Sequence, residues 1–407
     1  MRCTWTILLA ICLAGCRGDA APAQPVVAPR VLPPQPQRLD SRLGPFTVTE
    51  IATGFDHPWA VAFLPDGAML VTERPGRLRV IRDGGVSEPL RGLPDIFVDG
   101  QAGLLDVALS PTFSRDRLVY LSFAEPNLRG NKAGTAVLRG RLGEGALEDV
   151  EVVYRQEPKL SSGTHVGSRL VFDDAGNLWV TQGDNRVAET AQHLDKLQGK
   201  LVRIRPDGTV PDGNPFVGRD ARPQIWSYGH RNMQGAALHP TTRRLWTSEH
   251  GPMGGDELNI PQPGRNYGWP VATSGKDYSG SPVPGSVGAN ARGMEPPHYV
   301  WTVSPGVSGM AFYTADLLPQ WKGNLFLGAL ATHELIRLEL DGERVVGEER
   351  LLTDRNQRIR DVRQGPDGAL YLLVDADSPE GKVLRIGPAA ATDTSGAKTA
   401  PTPERGR

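Results

Sequence analysis

The sequence predicts an all-β protein, a six-bladed β-propeller of four-stranded blades. Three observations predict it. Glycine and proline are abundant, 48 and 35 of 407 residues, while few stretches carry a long helical period. Short β-rich runs alternate with Asp/Gly/Pro turns, the pattern of strands joined by tight turns. One strand–turn–strand unit also recurs six times, and a repeat at a fixed scale marks blades or solenoid units.

The copies run in chain order. They are AVAFLPDGAMLVTE (60–73), DVALSPTFSRDRLVYLSF (106–123) and RLVFDDAGNLWVTQGD (169–184), followed by GAALHPTTRRLWTSEHG (235–251), GMAFYTADLLPQWKGNLFLGAL (309–330) and DVRQGPDGALYLLVD (361–375). The equivalent positions Phe63, Leu109, Phe172, Leu238, Phe312 and Gln364 lie 46, 63, 66, 74 and 52 residues apart. Such periods suit a four-stranded blade with loop insertions. A β-sandwich of regularly spaced hairpins is the competing architecture, and six matching units argue against it. The run Phe46–Ile51 is placed to complete the last blade and close the ring. In a propeller, residues just past comparable strands converge on one end of the central channel, where chemistry collects.

The ends of the chain read differently. All three cysteines fall in the first sixteen residues, and the N-terminus combines a basic residue, an apolar stretch and small residues. LAGC, Leu13 to Cys16, resembles a bacterial lipoprotein cleavage site. Residues 1–15 are then a signal peptide and Cys16 the lipidated terminus, with an ordinary secretory signal as the alternative. Acyl chains stabilise membrane attachment by roughly 0.8 kcal/mol per buried methylene. The expectation is an exported protein, lipid-anchored in a bacterial periplasm at the outer membrane. Residues 16–40, rich in Pro and Ala, read as a tether, 41–388 as the propeller, and 389–407 as a disordered tail. A formal net charge of -1 gives no footprint for nucleic acid, and no internal apolar run approaches the roughly 20 residues of a membrane span.

Four constellations carry chemistry. His165 stands in SSGTHVGSRL, a glycine-flanked loop, and neutral imidazole is well matched to general-base work near pH 7. WSYGHRN holds Arg231 and Asn232, a guanidinium fork beside an amide, suited to carboxylate or carbonyl oxygens. SEHGPMGGDELN packs glycines, a proline and three carboxylates into one loop. Calcium takes six to eight oxygens, many of them backbone carbonyls in tight turns, so the loop reads as a calcium site or as solvated acids. In RNQRIRDVR, Arg358 and Arg360 alternate, which on a strand points both to one face. Two adjacent guanidiniums repel unless an anion lies between them, so the pair is an anion clamp or a solvated face.

Together with DGQAGLLDVALSP, LDKLQGKLVRI and NYGWP, these segments resemble the soluble pyrroloquinoline quinone (PQQ)-dependent dehydrogenases of the glucose/sorbosone dehydrogenase family, especially their periplasmic aldose dehydrogenases. The resemblance covers about residues 46–386 and implies a six-bladed propeller that oxidises aldoses at C1 to lactones. By resemblance, His165 is the catalytic base and Arg231 the arginine near the reacting oxygens. Gln101, Asn232, Arg358 and Arg360 hold PQQ. The Gly251 and Pro252 carbonyls bind the calcium under it, and Asp256, Glu257 and Tyr267 form a second, structural calcium site. Two positions depart from the pattern. Thr164 stands where glucose-oxidising members have an Asp, an acid that the aldose-type relatives also lack. Ala331 replaces a lysine that usually contacts PQQ. A propeller that binds without catalysis and a calcium-dependent lactonase-like hydrolase are the alternative readings. The electron acceptor and the preferred sugar are not legible.

Overall fold

The structure, a computed structural model, describes residues 28–389 and is almost entirely β. Six antiparallel sheets form the blades, as the repeats predict: five have four strands, and the sixth is a four-stranded blade extended by two short strands. Blade one comprises Pro58–Phe63, Met69–Glu73, Arg77–Arg82 and Gly85–Val86; blade two comprises Leu104–Leu109, Leu118–Pro126, Ala133–Leu142 and Leu147–Arg155. Blade three runs through Leu170–Phe172, Leu178–Thr181, Lys200–Ile204 and Ile225–Tyr228, and blade four through Met233–Leu238, Leu245–Glu249, Asp256–Asn259 and Tyr299–Trp301. Blade five holds Val307–Phe312, Leu325–Ala329, Glu334–Asp341 and Arg344–Leu351. Every sequence echo is the inner pair of strands of one blade.

Blade six closes the ring. Ile359–Gln364, Leu370–Val374 and Gly381–Pro388 come from the C-terminal end, and Gly44–Phe55 from the N-terminal end adds the outer strand. The Phe46–Ile51 expectation therefore holds. The expectation of a tether as far as residue 40 is corrected for residues 30–31 and 37–40, because Arg30–Val31 and Gln37–Ser41 pair with Gly44–Phe55. Their unbroken pairing outweighs a proline-rich composition. Cys16, the signal segment and residues beyond 389 lie outside the described residues. Among the described residues, no helix is long and apolar enough to cross a membrane.

The apolar core is spread between neighbouring blades. One cluster joins blades one and two through Leu70, Leu104, Leu121 and Phe123, and another joins blades five and six through Trp321, Phe326, Ile359 and Leu372. Burying such side chains contributes about 1.5–3 kcal/mol each.

A polar device repeats beside this core. The fourth residue of each second strand, or the fifth in blade two, reads Thr72, Ser122, Thr181, Ser248, Gly328 and Leu373. The first four hydroxyls donate to a carbonyl of the next blade, at Leu105 (2.6 Å), Ser168 (2.7 Å), Met233 (3.1 Å) and Ser308 (3.0 Å). In blade five, Gly328 leaves room for Ser308 Oγ to donate to Ile359 instead (2.6 Å). Five of the six inner strands begin with a register shift: between Pro58 and Ala60, Leu104 and Val107, Met233 and Gly235, Val307 and Met310, and Ile359 and Asp361. Bulges re-aim side chains, and these lie at the end of the channel where the candidate residues gather.

Candidate active site

At that end a cavity of about 570 Å3 opens among loops from the blades. Of the sequence-predicted residues, Gln101, Gly251, Pro252, Asp256, Arg358 and Arg360 line it. His165 stands against it, its amide donating to Gln101 Oε1 (2.9 Å). The side chain of Arg231 reaches toward the same space, donating to the His250 carbonyl (3.3 Å) and lying near the hydroxyl of cavity-lining Tyr278 (3.5 Å).

His165 is built as a base. It is buried, and its backbone takes the left-handed region (φ 51°), which turns the ring out of the loop. Its Nδ1 is 2.7 Å from Asp184 Oδ1, and Trp269 Nε1 donates to the other Asp184 oxygen (2.7 Å). Asp184 fixes Nδ1–H as donor and leaves the Nε2 lone pair free. Burial pushes the imidazole below its ordinary value despite the Asp184 hydrogen bond, and the charge of Arg231 adds to the fall. A neutral, oriented imidazole results.

Asn232 is fully buried one layer back. Its oxygen accepts from Gly167 N (3.1 Å) and Gln234 Nε2 (3.0 Å), and its Nδ2 has no partner among the described residues. Among the described residues, Arg231 Nε, His250 Nε2 and Arg360 Nε are likewise buried donors or acceptors without partners. Unmet buried groups are costly, and a cluster of them beside a cavity suits a polar ligand.

The arginine pair carries an internal counterion. Arg360 donates to Asp375 Oδ2 (3.0 Å) and Gln234 (2.9 Å); Arg358 donates to the Leu330 carbonyl (2.6 Å) and lies 3.5 Å from the same Asp375 oxygen. Burial alone would raise the Asp375 carboxyl. Arg360, the His57 hydrogen bond and Arg358 overcome it and hold the group well below the usual carboxylate range. The anion expected between the guanidiniums is thus partly a protein side chain. Two cations facing one shared acid still leave a net positive wall.

The loop from Ser248 to Asn259 serves two spaces. Among the described residues the carbonyls of Gly251 and Pro252 accept no hydrogen bond, and both residues line the large cavity. A second, far smaller cavity of about 10 Å3 is lined by Glu249, Glu257, Tyr267, Gly251 and Gly255. Glu249 Oε1 and Glu257 Oε2 both accept from Asn259 Nδ2 (2.8 and 3.1 Å). Burial and the neighbouring Glu249 push the Glu257 carboxyl well up. A hard cation with oxygen ligands would relieve that crowding.

Asp256 is separated from this small space. Adjacent strand residues point to opposite faces, so Asp256 lines the large cavity while Glu257 lines the small one. Both Asp256 oxygens also accept backbone amides, from Gly251 (2.9 Å) and from Gly306 and Val307 (2.8 and 3.0 Å). Asp256 and Glu257 therefore do not share one site, and Glu249 takes the place expected of Asp256.

Beneath the large cavity the channel is filled. Arg169 pairs with Asp361 (2.8 Å) and Asp106 (3.3 Å), and Arg363 pairs with the same two acids (3.0 and 2.6 Å). Gly309 has no side chain to obstruct them; a Cβ there would lie 2.2 Å from Asp361 Oδ1. Asp184, Asp375, Trp59 and Gln234 carry no motif and are not marked by the sequence as site residues, whereas Glu249 stands among the three carboxylates of the SEHGPMGGDELN loop but is given no ion by the resemblance. Their signal is the repeat: Asp184 and Asp375 follow the second strand of blades three and six, as His250 follows that of blade four.

Residues 55–385 match the family model of glucose/sorbosone dehydrogenases. The chain is 53% identical over 338 residues to the aldose sugar dehydrogenase of Escherichia coli (strain K12), covering 82% of this chain and 90% of that protein. The crystal structure of the soluble E. coli aldose sugar dehydrogenase in its apo form superposes with a TM-score of 0.80 at 49% identity, covering 88% of this chain and 100% of that one. The PQQ-bound aldose sugar dehydrogenase from Streptomyces coelicolor superposes with a TM-score of 0.70 at 28% identity, covering 87% and 99%.

Proposed function

The chain belongs to the glucose/sorbosone dehydrogenase family, and from that premise we propose that it oxidises aldose sugars at C1 to lactones, using PQQ and calcium. One observation carries the reading. A neutral, oriented imidazole, a net-positive arginine wall and two unengaged carbonyls converge on a single cavity.

The residues fit the absent groups. Arg358 and Arg360 suit the carboxylates of an anionic cofactor, because guanidinium forks bind them bidentately. The Gly251 and Pro252 carbonyls offer the hard oxygens calcium prefers, and Gln101 and the unpaired Asn232 Nδ2 suit a polar ligand edge. When bound, the quinone would take up two electrons as hydride from C1, with calcium polarising its oxygens.

The remaining chemistry falls to the chain. His165 Nε2 removes the proton from the anomeric hydroxyl, and Asp184 stabilises the imidazolium that forms. Arg231, beside it, favours the negative charge developing on that oxygen. Glu249, Glu257 and the Tyr267 segment would hold a second calcium that fixes the loop. Export and anchoring through Cys16 belong to the same proposal, supported by the LAGC segment.

Reconstitution tests it: PQQ and calcium are added, and aldose-dependent dye reduction is measured. PQQ binding without turnover would favour a binding protein. Lactone hydrolysis without PQQ would favour a hydrolase, which has no use for the arginine pair.

A further inference from the structure

The wall of the large cavity carries a third guanidinium. Arg74 follows the second strand of blade one, and its backbone is pinned on both sides. Its amide donates to the His57 carbonyl (3.0 Å), and its own carbonyl accepts from Leu104 (2.9 Å). Its stem crosses Gly103 at a distance no side chain would allow. A Cβ on Gly103 would stand 2.0 Å from the Arg74 carbonyl oxygen and 2.7 Å from its Cγ. The glycine lets the strand end deliver the arginine to the cavity.

Among the described residues, the Arg74 guanidinium makes no hydrogen bond or ion pair, although it is half-buried and lines the cavity. Its neighbours on the same hairpin are engaged, since Arg77 and Arg79 both pair with Glu73. The two acids on the cavity wall are also engaged, Asp375 by the arginine pair and Asp256 by backbone amides. A partly desolvated cation with no partner is held at a cost unless an anion completes it.

The blade order locates the anion. Arg74 belongs to blade one and Ala331 to blade five, each just past its second strand, and they flank Arg358 and Arg360 of blade six. We propose that Arg74 is the third cationic contact of the anionic cofactor, binding a carboxylate beyond those held by Arg358 and Arg360. It thereby supplies, from the opposite flank, the charge that Ala331 does not. This rests on the PQQ reading above.

The test is titration of PQQ into the calcium-loaded full chain. Arg74→Gln keeps the stem over Gly103 and should raise the PQQ dissociation constant by about tenfold or more, the scale of a lost charge-assisted contact. Ala331→Lys, added to that variant, should recover part of the affinity. Arg74→Lys, which keeps the charge, should lie between wild type and Arg74→Gln. An unchanged dissociation constant in Arg74→Gln overturns the proposal, as does a raised sugar KM with PQQ affinity intact, which would assign Arg74 to the substrate. Wild-type protein that binds no PQQ sinks the cofactor reading itself, and that result precedes any variant.

Discussion

His165 and Asp184 act as one unit, and their separate removal has separate signatures. His165→Ala should lower turnover by about 10²–10⁴-fold while PQQ titration still shows binding, since the ring is a base and not an anchor. Because burial lowers the imidazole's value, its neutral form persists below pH 6.5, and the acid limb of kcat/KM should lie under that value. Asp184→Asn removes the partner that raises it, so the limb should move further toward acid while the rate falls. A limb above 6.5 would mean another group is titrating. The arginine pair should also divide. Arg360→Ala leaves Asp375 buried with less compensation and should lower both PQQ affinity and melting temperature; Arg358→Ala, more exposed, should lower mainly affinity. Equal melting temperatures for the two would contradict this. At this scale the sequence was legible where chemistry sits in distinctive loops, at His165, Arg231 and the arginine pair. Asp184 and Asp375 were not, because a lone acid has no pattern until the fold supplies its partner.

Strand periodicity decides the loop of Ser248 to Asn259. The resemblance implies one ion for Asp256 and Glu257, but a strand sends neighbours to opposite sides, and the start of Asp256–Asn259 is not legible in a glycine-rich run. Glu257→Gln should therefore remove most of the calcium-dependent rise in melting temperature, since a ligand bound only to the native state stabilises by mass action. Asp256→Asn should lower stability in calcium and in chelator alike, by about 1–3 kcal/mol, because it weakens three backbone contacts. Scanning calorimetry with and without calcium separates the two, and the reverse pattern would return Asp256 to the ion. The inner strand pairs were legible as six echoes because each carries the same turn. The hydroxyls of Thr72, Ser122, Thr181 and Ser248 on the second strands stand in those echoes too. Their purpose, a bond to the next blade, appears only when the blades are set side by side.

The ring as a whole is held shut where its two ends meet. The N-terminal strand Gly44–Phe55 lies along Gly381–Pro388, and at the inner end of the same seam His57 Nδ1 is 2.7 Å from Asp375. That hydrogen bond raises the His57 imidazole against its burial. A histidine raised on folding contributes stability that is full below about pH 6.5 and fades as pH climbs through the folded value. The wild type should thus lose melting temperature across that rise, and His57→Gln should show a flatter profile; parallel profiles would remove His57 from the closure. The six-blade count followed from repeats, whereas the short strands before Gly44 were hidden by proline-rich composition. The channel's buried charges have a different consequence. Among the described residues, Arg169, Asp106, Asp361 and Arg363 fill the channel behind the large cavity. Under the proposed reaction, sugar, product and electron acceptor would share one doorway, so the acceptor's turn would come only after the product had departed, and a crowd of sugar at the threshold would slow its own oxidation.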